Sequence, residues 1–299
     1  MKKQTISIGI PAYNEEKTIA RLLQDIYAQN LGEYILHEVI VVSDGSEDDT
    51  VKIVKSLKHP TLTIIDRKQR KGIATGLNDL CKKSTGDCLV IFNADVRIKD
   101  THCVEKLAQP ILSGKADLTS CNQLPFTAQT LVEKALATSI EIKTAVFENY
   151  LHGDNVYTCH GTARGFSKKL YKKIHFPHSV GEDAYAYFFA TYNQMPYSYI
   201  KDTAVYYKLP ATLEDHHKQS QRFMQSKSQF VEEFGELFMR RMYYLPQTEV
   251  IKETLKKAIS APISTVIFIG IFFLMKLKIS KHTKTGETWD IALTSKETE

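Results

Sequence analysis

Cysteine is scarce in this chain and poorly placed for a framework. The five are Cys81, Cys88, Cys103, Cys121 and Cys159, an odd number with no C-x-x-C pair. That argues against a disulfide scaffold or a zinc site and fits a reducing compartment. Nine prolines and fourteen glycines are too few for a collagen-like or linker-dominated chain. An excess of one charge is also lacking. The 39 Lys+Arg and 34 Asp+Glu leave +5, too mild to point to nucleic acid by itself. Met1 to Thr5 carries no apolar h-region of a secretory signal. No G-x-G-x-x-G or G-x-x-x-x-G-K-[ST] loop occurs, so the usual glycine-rich phosphate cradles are missing. Internal repeats and low-complexity tracts are missing too.

What is present is ordinary globular material. With 299 residues, 43% hydrophobic and 24% charged, the chain can fold as one large α/β domain or two small ones. Ile6 to Ile10, Val39 to Val42, Leu62 to Ile65 and Cys88 to Phe92 are short apolar runs of the buried-strand kind. Between them, helical spacing covers residues 15–29, 50–57 and 73–81, then 101–112 after the fourth strand. A further strand is expected over 117–121. Such alternation predicts a doubly wound, mainly parallel sheet, whose ligands collect at the carboxyl ends of the strands. After about residue 125 the pattern changes. A long helix is expected over 129–149, mixed short strands and many tyrosines over 159–208, a helix over 182–192, and a polar helix over 213–238.

Residues 258–275 are the compositional outlier, uncharged and almost wholly apolar, with Lys256 and Lys257 on one flank and Lys276 and Lys278 on the other. As a helix the run spans about 27 Å, close to a hydrocarbon core of about 30 Å. It is expected to cross the membrane or lie in its interface. The expected organisation is a catalytic domain over 1–240, a juxtamembrane segment over 241–257, the membrane segment over 258–275, and a polar tail over 276–299.

Three polar or acidic clusters fall where strands end: Pro11-Ala12-Tyr13-Asn14-Glu15-Glu16, Asp44-Gly45-Ser46 and Asn93-Ala94-Asp95. Carboxylates here would repel a bare phosphate. They suit a phosphate ligand that arrives with a hard divalent cation, Mg2+ or Mn2+. Each cluster also has a plainer reading. Asp-Gly-Ser is common turn chemistry, and Asp44 could cap the helix near Thr50.

Taken in order, these motifs resemble family 2 glycosyltransferases, inverting enzymes of the GT-A fold. The resemblance rests on Ile10 to Glu16, Val41 to Thr50, Arg70-Lys71-Gly72-Ile73-Ala74-Thr75-Gly76-Leu77-Asn78, Asn93-Ala94-Asp95, Gly181-Glu182-Asp183 and Gln219-Ser220-Gln221-Arg222-Phe223. It implies that Pro11, Tyr13, Glu15, Asp44, Lys71, Asn93 and Gln219 border a UDP- or GDP-sugar. Asp44 would accept a hydrogen bond from the base. Asp95, and by the family's habit His216, would hold Mn2+ or Mg2+. Asp183, beside Glu182, would be the general base, and Arg222 would neutralise the leaving diphosphate. The implied acceptor is a hydroxyl on a lipid-linked or cell-envelope glycan, at the cytoplasmic face of the membrane. Two departures stand out: Asn93 replaces the first Asp of D-x-D, and Phe223 replaces a Trp. His160 and His217 are further candidate ligands or plain structural histidines. Tyr185, Tyr187, Tyr192, Tyr197 and Tyr199 either stack on sugars or fill the core. The alternatives are a catalytically inactive membrane-bound nucleotide-sugar-binding protein and a sugar-nucleotide pyrophosphorylase. The latter would need a glycine-rich, Arg-containing loop where Pro11 to Asn14 stand.

Overall fold

A computed structural model of the chain describes residues 3–178, 181–217 and 230–279. Four strands form its first half: β1 (Thr5–Ala12), β2 (Ile35–Ser43), β3 (Leu62–Asp66) and β4 (Cys88–Phe92). They pair in parallel, and the helices α1 (Ile19–Tyr27), α2 (Thr50–Ser56) and α3 (Ile73–Lys83) make the crossovers. Alternate residues feed two cores, which is the signature of a sheet covered on both faces. Ile6, Ile8, Ile10, Val39, Val41, Val90 and Phe92 face one core. Ile40, Val42, Leu89 and Ile91 face the other, against Leu77 and Leu80 of α3. A side chain at Gly9 would meet Leu80 at 3.0 Å, so the glycine lets α3 sit close on β1.

The second half departs from a mainly parallel sheet. It contains β5 (Arg97–Ile98), α4 (Cys103–Leu112), β6 (Leu118–Pro125), α5 (Leu131–Asn149), β7 (Ala163–Ser167), α6 (Lys168–Tyr171), α7 (Glu182–Tyr192) and β8 (Tyr197–Tyr207). The eight strands run in the order β3-β2-β1-β4-β7-β6-β8-β5. β7 lies antiparallel between β4 and β6, and β5 antiparallel to β8, while β6 and β8 are parallel. The reason is the route of α5. It does not carry the chain back across the sheet. Ala163, which opens β7, pairs with Phe92, which closes β4, so the strand re-enters from the carboxyl edge and must run backwards. That reversal brings residues 160–163 to the same edge as the three polar clusters.

α5 starts on a capping box, with Thr130 accepting from the Glu133 N–H and Glu133 accepting from the Thr130 N–H. Beyond β8 come α8 (Val231–Phe234) and α9 (Glu236–Met242), then α10 (Gln247–Ser260) and α11 (Pro262–Ile279). The single helix expected over 213–238 is interrupted at Gly235, whose φ of 84° lies in the left-handed region.

The expected membrane-spanning helix requires correction. Among the described residues no helix is long and apolar enough to cross a membrane. The apolar run is split at Ala261. Pro262 has no N–H and clashes with a preceding helical turn, so it opens α11 and leaves Ala258 to Ser260 in α10. One side of α11 then packs on the protein, with Ile271 and Met275 against Ala135 of α5.

Candidate active site at the carboxyl edge of the sheet

The loop after β1 and the loop after β2 are stitched into one unit. Asn14 donates its N–H to the Ser46 hydroxyl at 3.1 Å, and its side-chain oxygen accepts from the Glu47 N–H at 2.9 Å. The Glu15 N–H donates to Thr50 at 2.7 Å, the Glu16 N–H donates to the Asp48 carboxylate, and the Glu16 carboxylate accepts from the Asp49 N–H across the same seam. Asn14 has a φ of 53°, a region that asparagine tolerates better than most residues. Glu15 is buried, and its carboxylate accepts from the Thr18 hydroxyl. Pro11, half-buried, sits under Gly76 of α3.

Asp44 closes the third segment onto these two. Its Oδ1 accepts from Arg67 at 2.8 Å and from the Lys71 N–H at 2.9 Å, and its Oδ2 accepts from the Gly72 N–H at 2.8 Å. Gly72 stands at the N-cap of α3 and has no side chain with which to cap it, so the neighbouring strand supplies the carboxylate. Three of the roughly four acceptor positions of the carboxylate are filled. One remains open. Asp44 therefore organises the loop and does not cap α2. Gly45, with a φ of 72°, lets the Gln69–Arg70 backbone approach to within 2.8 Å of where a Cβ would stand. Arg70 stacks on Tyr13, its Cζ 4.1 Å from the ring centroid. Tyr13, Glu15, Asp44 and the Lys71 backbone thus form one cluster. The Lys71 side chain itself points to solvent.

A second cluster forms around β4, β7 and α7. The Asn93 N–H donates to the Thr162 carbonyl at 3.1 Å. Its side-chain Oδ1 is buried and finds no donor among the described residues. A Cβ on the adjoining Gly161 would lie 3.4 Å from a Glu182 carboxylate oxygen and 3.6 Å from the Asp183 Cβ, ordinary contact distances that place this loop directly against the start of α7. Glu182 and Asp183 occupy the first turn of α7 behind Gly181, whose φ is 89°. The strand-end motif and the expected base are therefore neighbours across Gly161–Thr162.

Asp95 is half-buried in the same loop. His216 follows Thr212 in a helical turn over 213–217. Burial pushes its imidazole down to about 4, helped by the charges of Lys143 and His217. Among the described residues no three His, Cys, Asp or Glu side chains gather as a metal cluster around Asp95 or His216. The oxygen donors present still fit a cation of the Mg2+ type. Such an ion is commonly held by one or two carboxylates plus substrate phosphates, and the unsatisfied Asn93 Oδ1 is an oxygen of the right kind. Gln219 and Arg222 lie outside the described residues.

Other expectations resolve toward structure. Tyr185, Tyr187, Tyr197 and Tyr199 bond their hydroxyls to Glu233, Asp154, Ser120 and Glu148 respectively, which is core behaviour and not sugar stacking. Tyr192 packs its ring against Phe234 and Phe238. His160 is pushed down to about 4 by burial and is neutral near pH 7.

Sequence reasoning missed Arg67 and Arg164. Arg67 bridges Asp44 and Asp79, and its place in the basic run after β3 was a usable signal. Arg164 is fully buried. It donates one N–H to the Glu182 carbonyl at 3.0 Å, while its Nε and second Nη find no partner among the described residues. Nothing in a five-residue strand sequence announces that.

The comparisons with known proteins agree with this geometry. The family model described as "Glycosyl transferase family 2" matches residues 7–175. A curated relative, the dolichyl-phosphate beta-glucosyltransferase ALG5C of Trichomonas vaginalis, is 31% identical over 93 residues, 29% of this chain and 28% of its own. The chain spans between 23% and 49% of the length of the first curated relatives it matches. The mannosyltransferase PcManGT from Pyrobaculum calidifontis, solved with GDP-Man and Mn2+, superposes with a TM-score of 0.62 at 17% identity, covering 93% of this chain and 84% of that one. TarS 1–349 of S. aureus with UDP-GlcNAc gives 0.56 at 19% identity, covering 86% and 73%. At these identities the two structures show a shared fold.

Proposed function

The chain belongs to glycosyl transferase family 2, and from that premise we propose that it moves a sugar from a UDP- or GDP-sugar to a hydroxyl acceptor with inversion at the anomeric carbon. The observation that carries the reading is the convergence of the strand-end motifs on one edge. The Tyr13–Asp44–Lys71 cluster offers a stacking face and one open carboxylate position for a base. The Asn93–Gly161–Asp183 cluster offers a carboxylate base within one glycine's width of the strand-end motif.

Asp183 takes the proton of the attacking acceptor hydroxyl, and a single displacement inverts the anomeric centre. Glu182, beside it on α7, brings its carboxylate to the same glycine, 3.4 Å from where a Gly161 Cβ would stand, so the family motif and not the geometry selects Asp183 as the base. Arg222 and Gln219 keep the roles the family motif gives them, on the diphosphate side. A divalent cation, Mn2+ or Mg2+, would be held by Asp95 with Asn93 and His216, and when bound it supplies charge stabilisation to the departing diphosphate. Two structural neighbours, solved with GDP-Man and Mn2+ and with UDP-GlcNAc, support that donor class. The relative named for dolichyl phosphate supports a lipid-linked acceptor over a free glycan. The five cysteines are all free and buried, consistent with work at the cytoplasmic face of the cell membrane, where nucleotide sugars are found.

The test has two arms. A thermal-shift screen of nucleoside diphosphates and their sugars with Mn2+ should single out a uridine or guanosine series, because a ligand of the folded state raises the midpoint. Asp183→Asn should then lower transfer by at least ~10²-fold with donor affinity unchanged, and Glu182→Gln should be milder. No shift with any nucleotide, or full transfer by Asp183→Asn, would reject the reading.

A further inference from the structure

α10 and α11 both lie against α5, but each leaves an apolar face uncovered by the described residues. On α10 the exposed stripe is Ile251, Leu255 and Ile259, spaced by four. On α11 it is Ile263, Val266 and Phe273, on the side away from the buried Ile271 and Met275. On either side of the break at Ala261, Ile259 is 86% exposed and Ile263 is 75% exposed. Apolar surface this exposed marks an interaction site.

Charge identifies the occupant. Of the described residues, 240–279 carry seven Lys+Arg and two Asp+Glu, a net of +5, equal to that of the whole chain. The positive balance of the protein therefore sits in the segment that bears this apolar face, where Arg240, Lys252, Lys256 and Lys257 pair with Glu236, Glu249, Glu253 and Glu141, and the rest of the chain is neutral. A second copy docked face to face would bring like charge against like. Residues 280–299 hold only Trp289, Ile291 and Leu293 as large apolar side chains among polar ones, too little to cover the stripe. A bilayer containing anionic lipid offers both an apolar layer and the opposite charge.

We propose that the outer face of α10 and α11 lies flat in the interface of an anionic membrane, as an in-plane attachment and not a span. α5 is the strut between this face and the catalytic sheet. The attachment is independent of which sugar is moved, and it is read without donor or acceptor, so its failure leaves the transferase reading untouched.

The full-length protein would be floated with vesicles of phosphatidylcholine containing phosphatidylglycerol, and with phosphatidylcholine alone. Binding should favour the anionic vesicles and weaken with salt. The exposed double variant Ile259→Glu/Ile263→Glu should reduce binding by ~10-fold or more, while Leu57→Glu, on an exposed site remote in the chain, should not. Bound protein should be released by alkaline carbonate. Failure to bind, equal binding by the double variant, or resistance to carbonate would overturn the proposal. So would a dimer in solution that the same double variant dissociates.

Discussion

Replacing Asp44 by Asn removes one charge and almost no volume, so its effect isolates the electrostatics of the clamp. The carboxylate receives three donors: Arg67, the Lys71 N–H and the Gly72 N–H. An amide can accept on only one of its two terminal atoms. The cheaper orientation keeps the oxygen toward Arg67 and Lys71 and turns the NH2 toward the Gly72 N–H, donor against donor. The pair is well shielded, with side-chain exposures of 9% for Arg67 and 10% for Asp44. Breaking a buried pair typically costs ~3–5 kcal/mol. Arg67 keeps its 2.7 Å bond to Asp79, whose side chain is 37% exposed, so part of its charge stays compensated. The expected loss is then ~2–4 kcal/mol, or ~5–15 °C in melting midpoint for a domain of this size. Thermal unfolding followed by circular dichroism measures it. A double-mutant cycle with Arg67→Met separates the pair from the backbone bonds, and a coupling of ~1–3 kcal/mol is expected. A midpoint within ~1 °C of the parent, or strict additivity in the cycle, would refute the reasoning. Donor binding, measured well below the variant's midpoint, asks the second question. If the fourth acceptor position serves the base, affinity falls there too; unchanged affinity would confine Asp44 to holding the loop.

Three further outcomes are expected. Asp95→Ala should abolish the Mn2+-dependent part of donor binding by calorimetry, whereas Asn93→Asp should keep or strengthen it by adding a charge to the strand-end motif. Arg164→Met should leave the melting midpoint unchanged or raise it, because it removes a buried guanidinium with two nitrogens unpartnered among the described residues. The same change should slow transfer by freeing the Glu182 carbonyl at the start of α7; a variant that is both fully active and equally stable would show that Arg164 does not position this turn. His160 takes up a proton near pH 4 when folded but near 6.5 when unfolded. The unfolded chain therefore binds more protons between those values. The stabilisation is whole above 6.5 and is lost as pH falls toward 4, by up to ~2 kcal/mol after allowance for partial exposure. Urea titrations of the parent and of His160→Gln should diverge in that window and nowhere above it.

Much of the first half of the molecule could be read from residues alone. β-branched runs at Ile6 to Ile10, Val39 to Val42 and Cys88 to Phe92 became the parallel strands, because a strand buried on both faces needs an unbroken apolar sequence. The helices around Leu22 and Leu77 followed from the spacing of their apolar residues. The strand-end motifs were legible because turns demand particular residues, so Asn14 and Gly45 advertise their own positive φ. Less was visible after residue 125. The antiparallel entry of β7 depends on where α5 lets the chain return, a distance in space that no local period encodes. The apolar run at 258–275 gave the right hydrophobicity and the wrong element, since one proline divides it and α5 takes up one of its sides.

The sequence by itself determined which residues would stand at strand ends, because short-range sterics and periodicity decide strand, turn and helix locally. Only the tertiary structure decided which of those ends meet. Tyr13 finds Arg70, and Asp44 caps a helix whose N-cap, Gly72, lies 28 residues later, because parallel pairing sets three loops on one edge. Asn93 meets the Asp183 turn through Gly161 because β7 runs backwards. Burial of Arg164 and exposure of Ile259 are likewise properties of packing. A residue's neighbours in space, not in sequence, set whether its charge is paired or its apolar surface is left for another partner.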